Sequence, residues 1–440
     1  MEARMATLKT LSGIGLICLA WAVAGCRQPT SEEEVKAEFT SHADLMLTLG
    51  SQDPSVQAEL SRVQAEKGLP RQLQDIEDQI AGKEDLTAAF FDVFDSDWQL
   101  QSLQEALVKI WPAGNLDFGD TLPRARKLVE EHQERRRILR AGLRAPNTRF
   151  RLDFTQGFGG DLRWLTATEV LARMEAIEID DAVSNHQLDQ AIESLAIMFR
   201  LAQKLDEAPQ LIPRLQAVEI RRLALKGIQR VATSVSANET TREQCLDLLE
   251  QQITLWADEA QAWKGDRAIG MHVYEMVRDG GYLSLLTEQE LKELDARRER
   301  LDRAYVVLRN IDIDELYFLE TMRLAIDMSN VPFYQRLSTW NERFEALDEW
   351  RGGHEFPRVA ADIMFPAFTT AQQRIGRDRA RCDAWRLALQ QSLGRGVNQT
   401  IHSVTGEPFL FGDEVGVVRV LGLEEEDKDL EPVLLPAAKP

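Results

Sequence analysis

The chain has 440 residues, with 72 Asp+Glu against 52 Lys+Arg and a formal net charge of −20. Its 44% apolar and 28% charged content excludes collagen-like, low-complexity and wholly disordered chains and leaves apolar mass for one large core or two to three smaller ones. The acidic balance argues against nucleic-acid binding through bulk charge and against adhesion of the body to an anionic bilayer.

The first element in chain order is an apolar run, Leu11 to Ala24, preceded by Lys9. It falls short of the ~20 residues that a helical span needs, and it is the one long apolar stretch, which excludes a multi-spanning membrane protein. A basic start, an apolar middle and a small-residue end are the pattern of a secretory signal. The run ends in Val23-Ala24-Gly25-Cys26. These four residues resemble the lipobox of bacterial lipoproteins. The resemblance implies cleavage between Gly25 and Cys26, diacylation of the Cys26 sulfur and acylation of the new amine. Several acyl chains anchor stably where one does not. The implied location is the cell envelope, with the body facing the periplasm; Arg27, where an Asp would signal retention at the inner membrane, favours the outer one.

Beyond Cys26 the mature chain carries a charge of −21 and opens on a polar tether, with the lipidated residue and tether together spanning 26–35. Its reach is a few tens of ångströms even when extended, which keeps the body near the membrane surface. Helices are expected at 36–49, 54–66, 70–80, 84–110 and 121–143. The segment Thr148 to Phe154 alternates polar and apolar residues and meets Gly157, Gly159 and Gly160, the pattern of a short strand or extended crossover.

Apolar spacing then turns strongly helical. Leu188, Ala191, Ile192, Leu195, Met198, Phe199, Ala202 and Leu205 form one stripe; Pro209 and Pro213 break the chain; Ile220, Leu223, Ala224, Ile228 and Val231 form the next. Two such helices joined by a short break predict an antiparallel hairpin. Capping boxes at Thr240–Glu243 and Thr287–Glu290 open two further helices. Phe333, Leu337, Trp340, Phe344, Leu347 and Trp350 form an aromatic stripe, which at helical spacing reads as core rather than a ligand groove. Ala371, Ile375, Cys382, Trp385, Leu389 and Leu393 form the last stripe. Residues 404–423 read as a β-hairpin, followed by the acidic run Glu424–Asp427 and a proline-containing, solvated tail.

The fold expected is all-α: an irregular array of antiparallel helical hairpins, α/α superhelix-like, with a small C-terminal β-hairpin and acidic tail. A compact bundle is the alternative. The expected organisation is a signal peptide (1–25), lipidated Cys and tether (26–35), an N-terminal helical region (36–145), an extended crossover (146–163), the hairpin array (164–394) and the β-hairpin with its tail (395–440).

The segments 164–231, Arg323–Asp327 and Thr405-Gly-Glu-Pro-Phe409 resemble an uncharacterised family of bacterial envelope helical proteins. The last is similar to part of a small module of secretion pseudopilins. The family carries no assigned activity and therefore no catalytic residues to transfer.

Candidate chemistry is sparse. His186 with Asp189, and His272 with Glu275, share helix faces, but a bundle metal site needs Glu-x-x-His pairs that are missing, so no metal or cofactor is expected. Gly352-Gly353-His354-Glu355 fits a helix C-cap and turn better than a site loop. Cys245 and Cys382 remain after lipidation; a single disulfide between them fits an oxidising envelope, and two buried free thiols are the preferred reading, since nothing in the spacing selects a bridge. Arginines cluster twice, at Arg124, Arg126, Arg135, Arg136, Arg137, Arg140 and Arg144 with Lys127, and at Arg374, Arg377, Arg379, Arg381 and Arg386. Arg374, Arg377 and Arg381 form one helical stripe that suits an anion or an acidic partner. Pairing with Asp and Glu on neighbouring helices is the other reading, and the preferred one.

The function expected is a lipid-anchored, non-enzymatic interaction scaffold with an envelope protein partner, held at the membrane through Cys26 and binding no nucleic acid. An envelope hydrolase on an α/α scaffold is the alternative and requires paired carboxylates in a cleft. A binding protein for a small apolar ligand requires a closed pocket between helices.

Overall fold

A computed structural model describes residues 54–66, 71, 84–94, 97–111, 118–151, 162–286, 304, 306–336, 338–340, 342, 359–360, 368–396, 400–411, 417–419 and 433–434. The protein is all-α. Among the described residues its helices include α1 (Pro54–Ala65), α2 (Leu86–Asp92), α3 (Asp97–Ile110), α4 (Leu122–Glu131), α5 (Gln133–Arg144), α6 (Arg163–Ser184), α7 (Leu188–Asp206), α8 (Leu211–Ala232), α9 (Glu239–Thr254), α10 (Glu259–Arg278), α11 (Ile311–Met328) and α12 (Phe368–Ser392). The chain divides into two compact units, one of residues 54–273 with 313–440 and the other of residues 1–53 with 274–312.

In the larger unit, successive helices pack in a repeating pattern. From α6 to α9 each helix touches the next, and also the next but one: α6 touches α8, and α7 touches α9. Earlier, α4 packs on α6 and α5 on α7, while α12 closes on both α8 and α9. Alternate helices therefore fall into two layers, as stacked hairpins require. One apolar cluster runs from Leu86 to Phe409 through α6, α7, α8, α9 and α12. The stripes read from the sequence are its content: Ala191, Leu195, Met198, Ala202 and Leu205 on α7, and Ile220, Ala224, Ile228 and Val231 on α8, are all buried.

The turns between these helices have local causes. His186 closes α6 at φ 59°, and the Gln187 N–H reaches back to the Ala182 carbonyl at 2.7 Å, a left-handed C-cap filled by a histidine instead of the usual glycine. Pro213 lies in the first turn of α8, where its missing N–H costs nothing, so the break spans only 207–210. At α9 the expected capping box is corrected. The cap is Asn238, whose side chain accepts from the Thr241 N–H at 2.9 Å, and the helix starts at Glu239. Asparagine is the stronger cap, and the Thr241 hydroxyl donates to the same oxygen.

Two other expectations are corrected upstream. The segment 84–110 is not one helix but the strand Glu84–Asp85 followed by α2 and α3. Asp85 caps α2 by accepting from Thr87 and Ala88, which starts the helix there. The segment 121–143 is α4 and α5, broken at His132 (φ −113°, ψ 18°), whose ring nitrogen Nδ1 lies 2.9 Å from Arg135. The expected strand near Thr148 forms as β2 (Thr148–Arg149), parallel to β1 (Glu84–Asp85). Beside it Phe90, Phe150 and Trp164 stack at ring separations of 5.3 and 4.5 Å, which fixes this corner against α6.

Near the C-terminus, β3 (Leu410–Phe411) lies antiparallel to β4 (Val417–Arg419), and β4 to β5 (Val433–Leu434). The residues between these strands lie outside the described residues, as do 36–49, the second capping box and Gly352–Glu355. Leu337, Phe344, Leu347 and Trp350 lie there too; Phe333 and Trp340 of the same aromatic stripe are buried.

In the smaller unit the last turns of α10 end at Gly280 (φ 85°), with the Gly281 N–H bonded to the Met276 carbonyl at 2.8 Å. Arg278 pairs with Asp312 at 2.7 Å. No helix among the described residues is long and apolar enough to cross a membrane. The apolar run 11–24 and Cys26 lie outside the described residues.

Candidate functional site

Arginine placement decides which surfaces are open to a partner. The first cluster is split: Arg136 is buried, Arg135 and Arg140 are half-buried, and Arg124, Arg126, Lys127, Arg137 and Arg144 are exposed. On α5, Arg136 and Arg140 converge on the fully buried Glu175 of α6: Arg136 donates from Nε at 2.8 Å and Nη2 at 2.9 Å, and Arg140 from Nε at 2.8 Å and from Nη2. Arg140 also reaches the Ser194 hydroxyl of α7 at 2.8 Å. Burial alone pushes the Glu175 carboxyl up. The hydrogen bonds and charge of the two guanidiniums outweigh it and hold the group below the usual carboxylate range. Arg126 pairs with Asp181, Arg137 with Glu134, and Arg144 with Glu193. Arg135 donates to the Val93 carbonyl at 3.1 Å and to Gln99 at 2.7 Å. Within it, Arg136, Arg140 and Arg144 clamp α5 to α6 and α7.

The second cluster lies on α12. Arg374 is exposed, while Arg377 and Arg381 are half-buried and engaged by the protein itself. Arg379 and Arg386 share Asp383 at 3.1 and 3.2 Å.

A third charged constellation carried no sequence signal. Arg221 of α8 is enclosed, with Asp206 of α7 on one side and Asp378 of α12 on the other, the latter at 2.6 Å. Its guanidinium lies 4.5 Å from the Trp256 ring centre, and Arg379 lies 5.2 Å from the same ring. Burial pushes the Asp378 carboxyl up to about 6 even with Arg221 beside it. Its three members come from three helices, with Asp378 157 residues from Arg221, which is why spacing could not reveal it. Two carboxylates around one cation invite a catalytic reading, but all three groups are closed from solvent. They act as a knot that ties α7, α8 and α12.

One groove opens on the layer containing α5, α7 and α9, with a volume of about 130 Å³. Arg144, Glu193, Arg200, Gln203, Gln251 and Gln252 supply its polar wall, over Ile197, Phe199 and Leu248. It holds one carboxylate, Glu193, and that is taken by Arg144. Paired-carboxylate hydrolysis has no partner for it there.

The remaining singled-out residues are structural where described. The His186 ring meets the Ser236 hydroxyl at 2.6 Å. His402 is buried, and its Nδ1 accepts the Val404 and Thr405 N–H groups, both at 3.1 Å. These bonds fold Thr405-Gly-Glu-Pro-Phe409 into a turn, with Gly406 at φ 76° against the Tyr334 ring. Cys245 and Cys382 are buried and unbridged, and burial pushes the Cys245 thiol up to about 12. No group of three or more potential metal ligands occurs among the described residues.

No family model, curated protein or solved structure matches the chain.

Proposed function

We propose that this protein is a lipid-anchored envelope scaffold: a non-enzymatic helical body held at a membrane through Cys26, presenting its helix faces to an envelope protein partner. The observation that carries the reading is Val23-Ala24-Gly25-Cys26 at the end of a correctly sized apolar run. The use of buried charge supports the scaffold part. Glu175, Asp206, Asp378, Asp180 and Glu259 are each paired with an arginine, so they brace helices against one another. Stacked helical hairpins offer extended surfaces of the kind that bind other chains. The outer membrane is the favoured location, on Arg27.

The test is crosslinking and co-purification of the protein from detergent-solubilised membranes, with Cys26→Ser as control. Defined envelope proteins recovered with the wild type and depleted at least about tenfold with Cys26→Ser support a tethered scaffold. Recovery of the protein alone, or equal recovery of partners with the soluble variant, contradicts it.

A further inference from the structure

In the groove on α7 and α9, Arg144 pairs with Glu193 and the Gln203 amide donates to Glu207 at 3.3 Å, while other donors are left unused. Arg200 stands exposed at its rim, with no hydrogen bond or ion pair among the described residues. Gln252 is 3% exposed in its wall, and its amide nitrogen has no hydrogen-bond partner among the described residues. Gln251 adds a second amide. The one acidic group, Glu193, is held by Arg144 at the same end and by Arg140 at 3.7 Å, so it does not neutralise Arg200. Beneath lie Ile197, Phe199 and Leu248.

We propose that this groove is a docking subsite for one acidic side chain, Asp or Glu, of a partner polypeptide, with an apolar neighbour resting on Leu255 at its edge. The donor set selects the ligand. A guanidinium and amide N–H groups facing an apolar floor match a carboxylate, and a buried orphan donor favours any acceptor that reaches it. Size sets the limit: about 130 Å³ is well under the roughly 300–1,000 Å³ of small-molecule sites, so the groove takes a side chain and not a cofactor. Leu255 is 43% exposed beside the groove and gives the neighbouring residue an apolar seat. The proposal names the chemistry of the partner surface within the scaffold reading, yet it does not depend on the lipid anchor.

The probe is the dipeptide N-acetyl-leucyl-glutamate, with N-acetyl-leucyl-glutamine as its uncharged match. Saturation-transfer NMR on the full chain in detergent reads binding. The acid should bind with a Kd on the order of 1 mM, as a single subsite does. The amide, and the acid with Arg200→Gln, should each bind at least about fivefold more weakly, and added salt should weaken the acid alone. Arg200→Gln changes an exposed side chain, so its melting temperature should match the wild type. Equal binding of acid and amide, or unchanged binding by Arg200→Gln, overturns the subsite whatever the fate of the anchor. Partner loss with Cys26→Ser but intact dipeptide binding would separate the two claims.

Discussion

Asp266 sits where α10 meets the start of α8 and accepts a hydrogen bond from the Leu211 N–H at 3.3 Å. Burial pushes its carboxyl up to about 7. A carboxyl raised in the folded state contributes stability below its unfolded value of 3.8, and that contribution is lost as pH rises through about 7. Asp266→Asn keeps an acceptor and removes the charge. It should leave stability unchanged near pH 4 and raise it by about 1–2 kcal/mol at pH 8, read by urea unfolding at both values. His402 runs the other way. Burial holds its pKa below the ordinary 6.5, although Asp383 pulls it upward. The unfolded chain therefore takes the proton first, and stability falls on acidification below about pH 6.5. Protonation of Nδ1 also removes the acceptor for Val404 and Thr405. Hydrogen exchange of those two amides should quicken as pH is lowered, after correction for intrinsic exchange; a flat corrected profile would contradict the turn geometry.

At the scale of elements, buried and exposed charge pairs should separate cleanly. Glu175→Gln strips one partner from two guanidiniums in a closed site and should destabilise by about 3 kcal/mol. Glu193→Gln breaks a half-exposed pair and should cost no more than about 1 kcal/mol. Denaturant midpoints with unchanged slopes would check both. Close backbone approach gives a further test. A Cβ on Gly265 would overlap the Pro209 carbonyl oxygen, so α10 docks against the α7–α8 turn only because that side chain is missing. Gly265→Ala should cost about 3 kcal/mol, against a small gain if the helix were free there. The sequence pattern identified the helix stripes of α7 and α8 because each buries a broad face, and burial is what writes a 3.6-residue period; α12, whose residues Cys382 to Trp385 are all buried, is enclosed on more sides than its stripe indicated. Other features left no such mark. The breaks at Val93 and His132 fall inside helical periodicity, where a cap residue and the chain's path decide the ending. The Asn238 cap competed with a plausible box two residues later. The Arg221 knot joins residues 206, 221 and 378, and the free groove donors Arg200, Gln251 and Gln252 come from α7 and α9; no local spacing encodes either.

At the scale of the whole molecule, two features bear on the proposed function: an acidic body in which many described arginines pair with its own carboxylates, and an N-terminal sequence that resembles a lipoprotein signal. The pairing explains how a chain of −20 can carry basic clusters whose charge is compensated by neighbouring carboxylates. Arg124, Arg200 and Arg374 are among the exceptions, and Arg200 alone of these three lines the described groove. In the proposed docking, specificity for an acidic side chain would rest on a few placed donors against a generally repulsive field, which disfavours non-specific acidic ligands. All-α architecture was legible from composition and period; the proposed function rests in the sequence on Val23-Ala24-Gly25-Cys26, a linear motif, whereas a docking surface exists only in the folded chain. The most direct test is mass spectrometry of the N-terminal peptide of the protein isolated from bacterial membranes. A peptide beginning at Cys26 and carrying acyl chains is the predicted result. An unmodified Cys26, or a chain still beginning upstream of it, would contradict the account.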